Sequence, residues 1–187
     1  MATRYDAASA EETSEMETIY IVGANQSDPS IVTINSGGVL RDAIVQRQTP
    51  GRLRAVAGPK TLGKCTPSVS SHGKCPLLAA CTFSSVTSLV GNVGQTGYAA
   101  TNAGADVFST NDRGSGLPAC SIQWGAWAGG GMAVTSTTLK NRLHRVGFGL
   151  IKPAIGALAL EAAFSFTRTI IAVCEFDWFR YMNSHAA

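Results

Sequence analysis

Three side chains in the middle of the chain have types and spacing suited to protonating a carbonyl: Ser85, Tyr98 and Asn102. Ser85 follows an apolar run, Leu77 to Phe83, that ends in two serines. A loop punctuated by Gly91, Gly94 and Gly97 then leads into YAATNAGAD, which reads as a helix. A serine at a strand end and a tyrosine on the first turn of the next helix can face each other across such a loop. Asn102 lies four residues past Tyr98, so both project from one helix face. In that arrangement a phenol can give its proton to a carbonyl oxygen while a hydride arrives at the carbon, and a serine hydroxyl can hold the same oxygen. A free tyrosine titrates near pH 10, so the reaction favours a cation close by. A purely structural account also exists: Ser85 ends a strand, Tyr98 is a half-buried aromatic and Asn102 satisfies local backbone.

The elements that hold these residues can be read outward from them. Strands are expected at 31–34, 77–83, 119–124 and 169–173, from β-branched or apolar runs bounded by turn residues. Helices are expected from Thr49-Pro50, an N-cap hydroxyl followed by a proline at the first helical position, and over 98–112, 139–148 and 153–164. Leu53 and Val56 are expected to face inward from the first of these. Residues 1–18 are acidic and polar and read as a tail; Ile19 to Val22 is a short apolar run followed by the turn-rich GANQSDPS. Gly23 there lacks the further glycines of a G-x-G-x-x-G phosphate loop. Between residues 61 and 75, Pro67 and two glycines oppose a continuous helix, and His72 is expected in solvent.

Composition excludes several classes. The chain has 187 residues, 45% hydrophobic and 14% charged, enough for one full-sized α/β domain. A net charge of +3 with scattered basic residues argues against a nucleic-acid partner. Cys65, Cys75, Cys81, Cys120 and Cys174 are odd in number and show no metal-type spacing, which fits a reducing compartment and no metal centre. The most apolar stretch, Leu150 to Cys174, is interrupted by Lys152, Pro153, Glu161 and Arg168, so no membrane span is expected. With no secretory or mitochondrial leader in the acidic N-terminus, the expected location is cytoplasmic.

Taken together, FSS at 83–85, GQTGYAATNA, SIQWGAW and the closing FDWFRY resemble the ketoreductase domain of polyketide synthases and animal-type fatty acid synthases, a branch of the short-chain dehydrogenase/reductase superfamily. GVLRDAIVQRQTPGRLRAVAGPK, from Gly38 onward, resembles the ketoreductase segment after the fourth sheet strand. The resemblance implies an α/β fold of truncated Rossmann-like, NAD(P)-binding type, with a mostly parallel sheet and flanking helices. It also implies a catalytic set of Ser85, Tyr98 and Asn102, with Lys60 of the Pro59-Lys60 pair as the cation. Ser36, Gly37 and Gly38 would approach the adenosine side of NADPH, and Trp124 and Gly125 would pass beneath its nicotinamide. Taken alone, Trp124 and Trp127 read as core aromatics. Leu40-Arg41-Asp42 stands where an LDD triplet accompanies one product hand in bacterial modular ketoreductases, and Val90 stands where a tryptophan accompanies the other.

The resemblance covers residues 31–183, the C-terminal half or so of a ketoreductase catalytic subdomain, and leaves 1–30 unmatched. The first half of the Rossmann sheet, with its glycine-rich turn and pyrophosphate-binding helix, has no counterpart, which is expected to leave a sheet edge open. Two functions follow. One is part of an NADPH-dependent reductase of a β-ketoacyl thioester borne by an acyl carrier protein, completed by the missing half or by other synthase domains. The other is an inactive remnant serving as a structural or interaction module. Whether the chain alone is an enzyme stays open between them.

Overall fold

A computed structural model describes residues 2–4, 18–22, 31–61, 77–129, 137–165 and 167–185. In chain order the elements are β1 (Ala2–Arg4), β2 (Thr18–Val22), β3 (Ile31–Asn35), α1 (Pro50–Thr61), β4 (Leu77–Ser85), α2 (Thr87–Val90), α3 (Thr96–Gly114), β5 (Ala119–Trp124), α4 (Thr137–Arg145), α5 (Pro153–Ser165), β6 (Ile170–Val173) and α6 (Trp178–His185). A single turn of 3-10 helix, Val45–Arg47, precedes α1. One six-stranded sheet runs in the order β1-β2-β3-β4-β5-β6. Its strands β3 to β6 are parallel, joined by helical crossovers, as the Rossmann-like expectation requires.

Two expectations about the N-terminal part change. Ala2–Arg4 lies within what reads as a tail, yet it is a strand, and Thr18–Val22 is a second one. They pair antiparallel, β1 with β2 and β2 with β3. The physical reason lies in TIYIV, a β-branched and aromatic run beside an edge whose unpaired N–H and C=O groups demand partners. The edge of β3 is therefore covered. The segments around Gly23 and His72, with Cys65 and Cys75, lie outside the described residues.

The two faces of the parallel sheet differ in chemistry. On one, Ile34, Cys81, Cys120, Ile122 and Trp124 form the apolar core, with Phe83 and the α5 residues Ala159, Leu160 and Ala163 packed on it. The intervening positions, Thr33, Asn35, Ser84, Ser121 and Gln123, are buried and polar. Side chains alternate across a strand, so these point the other way, toward α3, which packs on β4 and β5. From the helix side they meet Asn102, Asp106 and Ser109, while Lys60 is buried at the end of α1.

Local chemistry fixes the helix ends. Thr49 caps α1, its Oγ accepting from the Arg52 N–H at 3.3 Å. Val56 is buried, but Leu53 is 45% exposed, against the expectation that both turn inward. The tip of Leu53 instead lies over Gly97, where an added Cβ would come within 3.0 Å of it. The chain after β6 forms the helix α6, which the sequence did not announce. Phe148, Phe176 and Tyr181 hold it through edge and tilted ring contacts, with Phe148–Phe176 centroids 4.9 Å apart.

Gly147 turns the chain out of α4 at φ 87°, and a Cβ there would lie 2.6 Å from the Asp177 carbonyl oxygen. Gly129 has a similar φ of 79° but open surroundings. Gly147→Ala is expected to destabilise the fold by about 2–4 kcal/mol, strain and overlap together, and Gly129→Ala by only about 1 kcal/mol. Urea titration of both variants checks this; equal losses would show that the contact with Asp177 carries no weight.

Candidate active site

The site is assembled at the C-terminal ends of β4 and β5, where open α/β sheets place their ligands. Ser85, the last residue of β4, is buried, and its Oγ accepts from the Thr87 N–H at 3.2 Å. It pairs in register with Trp124 of β5. Tyr98 lies in the first turn of α3, and the Ser85 and Asn102 side chains stand close enough to its phenol to favour the ionised form by hydrogen bonding. Burial outweighs them and raises the Tyr98 pKa above its ordinary value of 10.0, and the negative charge of Asp42 adds to the rise. The sequence-based expectation was a tyrosine lowered by a cation; here desolvation decides, and the phenol keeps its proton at neutral pH.

Asn102 is fully buried and donates through Nδ2 to the Tyr98 carbonyl at 2.8 Å, bracing the first turn of α3. Its Oδ1, with Thr87 Oγ1 and Trp124 Nε1, is a buried polar atom without a partner. Lys60 is buried at the end of α1, where its ammonium donates to the Phe83 carbonyl. Its electrostatic neighbours are Asp106 and Cys81, both of which favour the charge. Among the described residues Lys60 forms no hydrogen bond to Tyr98. Beside it lies a cavity of about 20 Å³, lined by Thr33, Asn35, Ala105 and Ser109 among others, the size of one water.

The loop after β3 frames the other side. Asn35 Oδ1 accepts from the Gly37 N–H at 3.1 Å, which fixes the turn through Ser36, Gly37 and Gly38. Asp42, in the Leu40-Arg41-Asp42 triplet, accepts from Gln95 Nε2 at 3.0 Å, and the Ala43 N–H donates to the Gly94 carbonyl at 2.8 Å. These bonds tie the triplet to the loop that delivers Tyr98. Trp124 stacks between Phe83 and Trp127, with centroids 5.3 and 4.8 Å away, so its ring belongs to the apolar core while its backbone lies beside Ser85. Gly125 is small for a packing reason: an added Cβ would sit 2.8 Å from Cys174 Sγ.

Residues 3–129 match the family model described as the KR domain. The chain belongs to this ketoreductase family. Relatives include the polyketide synthase GfsB of Streptomyces halstedii, 35% identical over 151 residues that make up 80% of this chain and 3% of that one. Among solved structures, the ketoreductase from the first module of phoslactomycin biosynthesis in Streptomyces sp. HK803 is 28% identical with a TM-score of 0.72, covering 82% of this chain and 35% of that one. A structure of A-type ketoreductases from a modular polyketide synthase is 32% identical with a TM-score of 0.73, over 82% and 32%. The chain thus spans about a third of the length of the ketoreductase structures it matches. The family match begins at residue 3, taking in the segment that carries β1 and β2. No described helix is long and apolar enough to cross a membrane.

Sequence reasoning missed Asp106. It is buried and accepts from Ser121 Oγ at 2.6 Å, Ser88 Oγ at 2.8 Å and Gln123 Nε2 at 2.8 Å. A signal was available: Asp106 follows Tyr98 by eight residues and Asn102 by four, on one helical face.

Burial lowers the Lys60 pKa from 10.5 to about 8. The folded protein releases this proton near pH 8 while the unfolded chain holds it to 10.5, so stability rises with pH across that window and the cost of the buried charge is fully felt below it. A shift of that size corresponds to about 3 kcal/mol. Urea stability of the wild type relative to Lys60→Met is expected to climb by about that amount between pH 8 and 10.5; a flat difference would mean that the amine is not buried as a charge.

Proposed function

We propose that this chain is the C-terminal part of a ketoreductase domain that reduces a β-ketoacyl thioester to the β-hydroxyacyl form, once completed by a cofactor-binding half. The observation that carries the reading is that Ser85 ends β4 beside the first turns of α3, which carry Tyr98 and Asn102 on one face, at the C-terminal ends of parallel strands. The substrate is a thioester on the phosphopantetheine arm of an acyl carrier protein, in keeping with the polyketide synthases among the relatives. The cofactor is NADPH, which when bound supplies a hydride to the carbonyl carbon.

The residues present suit the two ends of that cofactor and not the pyrophosphate between them. Asn102 Oδ1 and Thr87 Oγ1 have unused hydrogen-bonding capacity near Ser85 and Tyr98, which suits the polar groups of a nicotinamide and substrate. At the other end, Ser36, Gly37 and Gly38 offer a small-residue turn for the adenosine. No glycine-rich turn opening a helix stands among the described residues to cradle the pyrophosphate. Exposed Ile155, Leu158 and Phe164 on α5 are consistent with a chain that is part of a larger body.

In the completed site Ser85 holds the substrate carbonyl oxygen and Tyr98 gives it a proton, so that carbon and oxygen together gain two hydrogens. Burial keeps the phenol protonated until that moment. The tyrosinate formed is stabilised by the Ser85 and Asn102 side chains and regains its proton from solvent. Lys60 contributes positive charge from the α3 side of the sheet, and Asn102 orders the first turn of α3. A second reading, an inactive remnant kept as a structural or interaction module, is favoured by one observation: no glycine-rich turn opens a helix among the described residues.

Two measurements separate these. The chain by itself should bind NADPH only at about millimolar concentration or weaker, read by nicotinamide fluorescence; low-micromolar binding would reveal a phosphate site built elsewhere. Residues 31–183 joined behind an intact cofactor-binding half should reduce a simple β-ketoacyl thioester, followed by NADPH absorbance. Tyr98→Phe in that protein should slow the reaction by about 10²–10⁴-fold with little loss of stability. A graft that binds NADPH but reduces nothing would favour the remnant, and an unimpaired Tyr98→Phe variant would remove this tyrosine from the chemistry.

A further inference from the structure

Asp106 joins β5 and α2 to α3, the helix that bears Tyr98 and Asn102. Its Oδ1 accepts from Ser121 of β5 at 2.6 Å, and its Oδ2 accepts from Gln123 of β5 at 2.8 Å and from Ser88 of α2 at 2.8 Å. Ser88 Oγ also lies 2.8 Å from the Ser85 carbonyl, so its single proton serves either that carbonyl or the carboxylate, while Gln123 Nε2 donates to the same hydroxyl at 3.0 Å. Ser85 Oγ in turn accepts from the Thr87 N–H, the turn that Ser88 completes. Across the polar face stands the Lys60 ammonium, for which Asp106 is the strongest charge partner. Among the described residues no other carboxylate acts on that ammonium.

Three donors around one buried carboxylate, with a buried ammonium on the same sheet face, are more than packing of α3 requires. Ser121 alone would anchor the helix to β5. The additional link through Ser88 reaches the backbone of the residue that faces Tyr98. Removing a buried acceptor leaves its donors unsatisfied, so the position of each depends on the carboxylate being there.

We propose that Asp106 is the positioning residue of this site: its carboxylate fixes the Ser85 turn through Ser88 and is the negative group on the buried sheet face that the Lys60 ammonium shares. The importance of that role for turnover rests on the ketoreductase reading; the placement itself does not. Asp106 touches neither substrate nor cofactor in this scheme, and acts through Ser88 and Lys60.

The test uses the full chain and needs no cofactor. The Lys60 side chain, labelled with ¹³C, is titrated by NMR in the wild type, Asp106→Asn and Ser88→Ala. Asp106→Asn should move the Lys60 titration downward by about one unit, a tenfold fall in proton affinity, as expected for loss of a nearby opposite charge. Ser88→Ala keeps the carboxylate and should leave that titration in place, yet speed hydrogen exchange at the Thr87 amide about tenfold through the loosened Ser85 turn. A Lys60 titration unmoved in Asp106→Asn, or a Thr87 amide as protected in Ser88→Ala as in the wild type, would overturn the proposal. Should Asp106→Asn fail to fold, Asp106→Leu combined with Ser121→Ala removes the acceptor together with a donor, and its Lys60 titration is read in the same way. A moved titration together with an inactive graft would leave Asp106 as the positioning residue and overturn only the ketoreductase reading.

Discussion

The structure depends on a carboxylate buried against a polar sheet face. β5 is covered by α3 on one side and by α5 on the other, so all six of its residues are out of water. Ser121 and Gln123 on that strand must therefore find partners inside the protein, because an unpaired buried donor costs about 1–3 kcal/mol. Asp106 supplies the partner for both. α3 can satisfy them in only one axial position and rotation, and that position places Asn102 and Tyr98, one and two turns earlier on the same face, at the end of β4.

The opposite face meets a different demand. There the cysteines, Ile122, Trp124 and Phe83 exclude water against α5, and nothing polar fixes their register beyond the ladder itself. Cys81 and Cys120 are direct register partners and remain free thiols. Burial and the contact with Cys120 push the Cys81 thiol pKa up, so it behaves as an inert small hydrophobe. The apolar face gives the sheet its driving force, and the polar face gives it its geometry. Dividing the two tasks lets Ser85, Tyr98 and Asn102 sit at the seam without weakening the core.

Lys60 shows what the polar face costs and what it offers. An ammonium in that position is desolvated, and the Phe83 carbonyl and the Asp106 charge offset part of the loss. A groove-lining lysine in water would carry no such cost and would keep its ordinary affinity for protons. The chain spans about a third of the ketoreductase structures it matches, and in that third Ser85, Tyr98 and Asn102 stand together while no glycine-rich turn opening a helix is among the described elements.

Much of this was legible before any coordinates. The parallel strands, the start of α1 at Thr49-Pro50 and the i,i+4 relation of Tyr98 and Asn102 follow from local patterns, because strand runs, helix caps and helical spacing are set by neighbours in sequence. The family motif, too, is carried by short runs such as GQTGYAATNA. What sequence could not decide is set by contacts distant along the chain. The pairing of Thr18–Val22 with β3 depends on an edge that exists only once the sheet has formed. The rise in the Tyr98 pKa and the fall in that of Lys60 depend on how much water the assembled helices exclude. The role of Asp106 depends on partners 15, 17 and 18 residues away, which meet it only when α3 lies across β5. Local sequence chose the residues and their elements; desolvation and long-range hydrogen bonding, which exist only in the folded chain, decided how those residues behave.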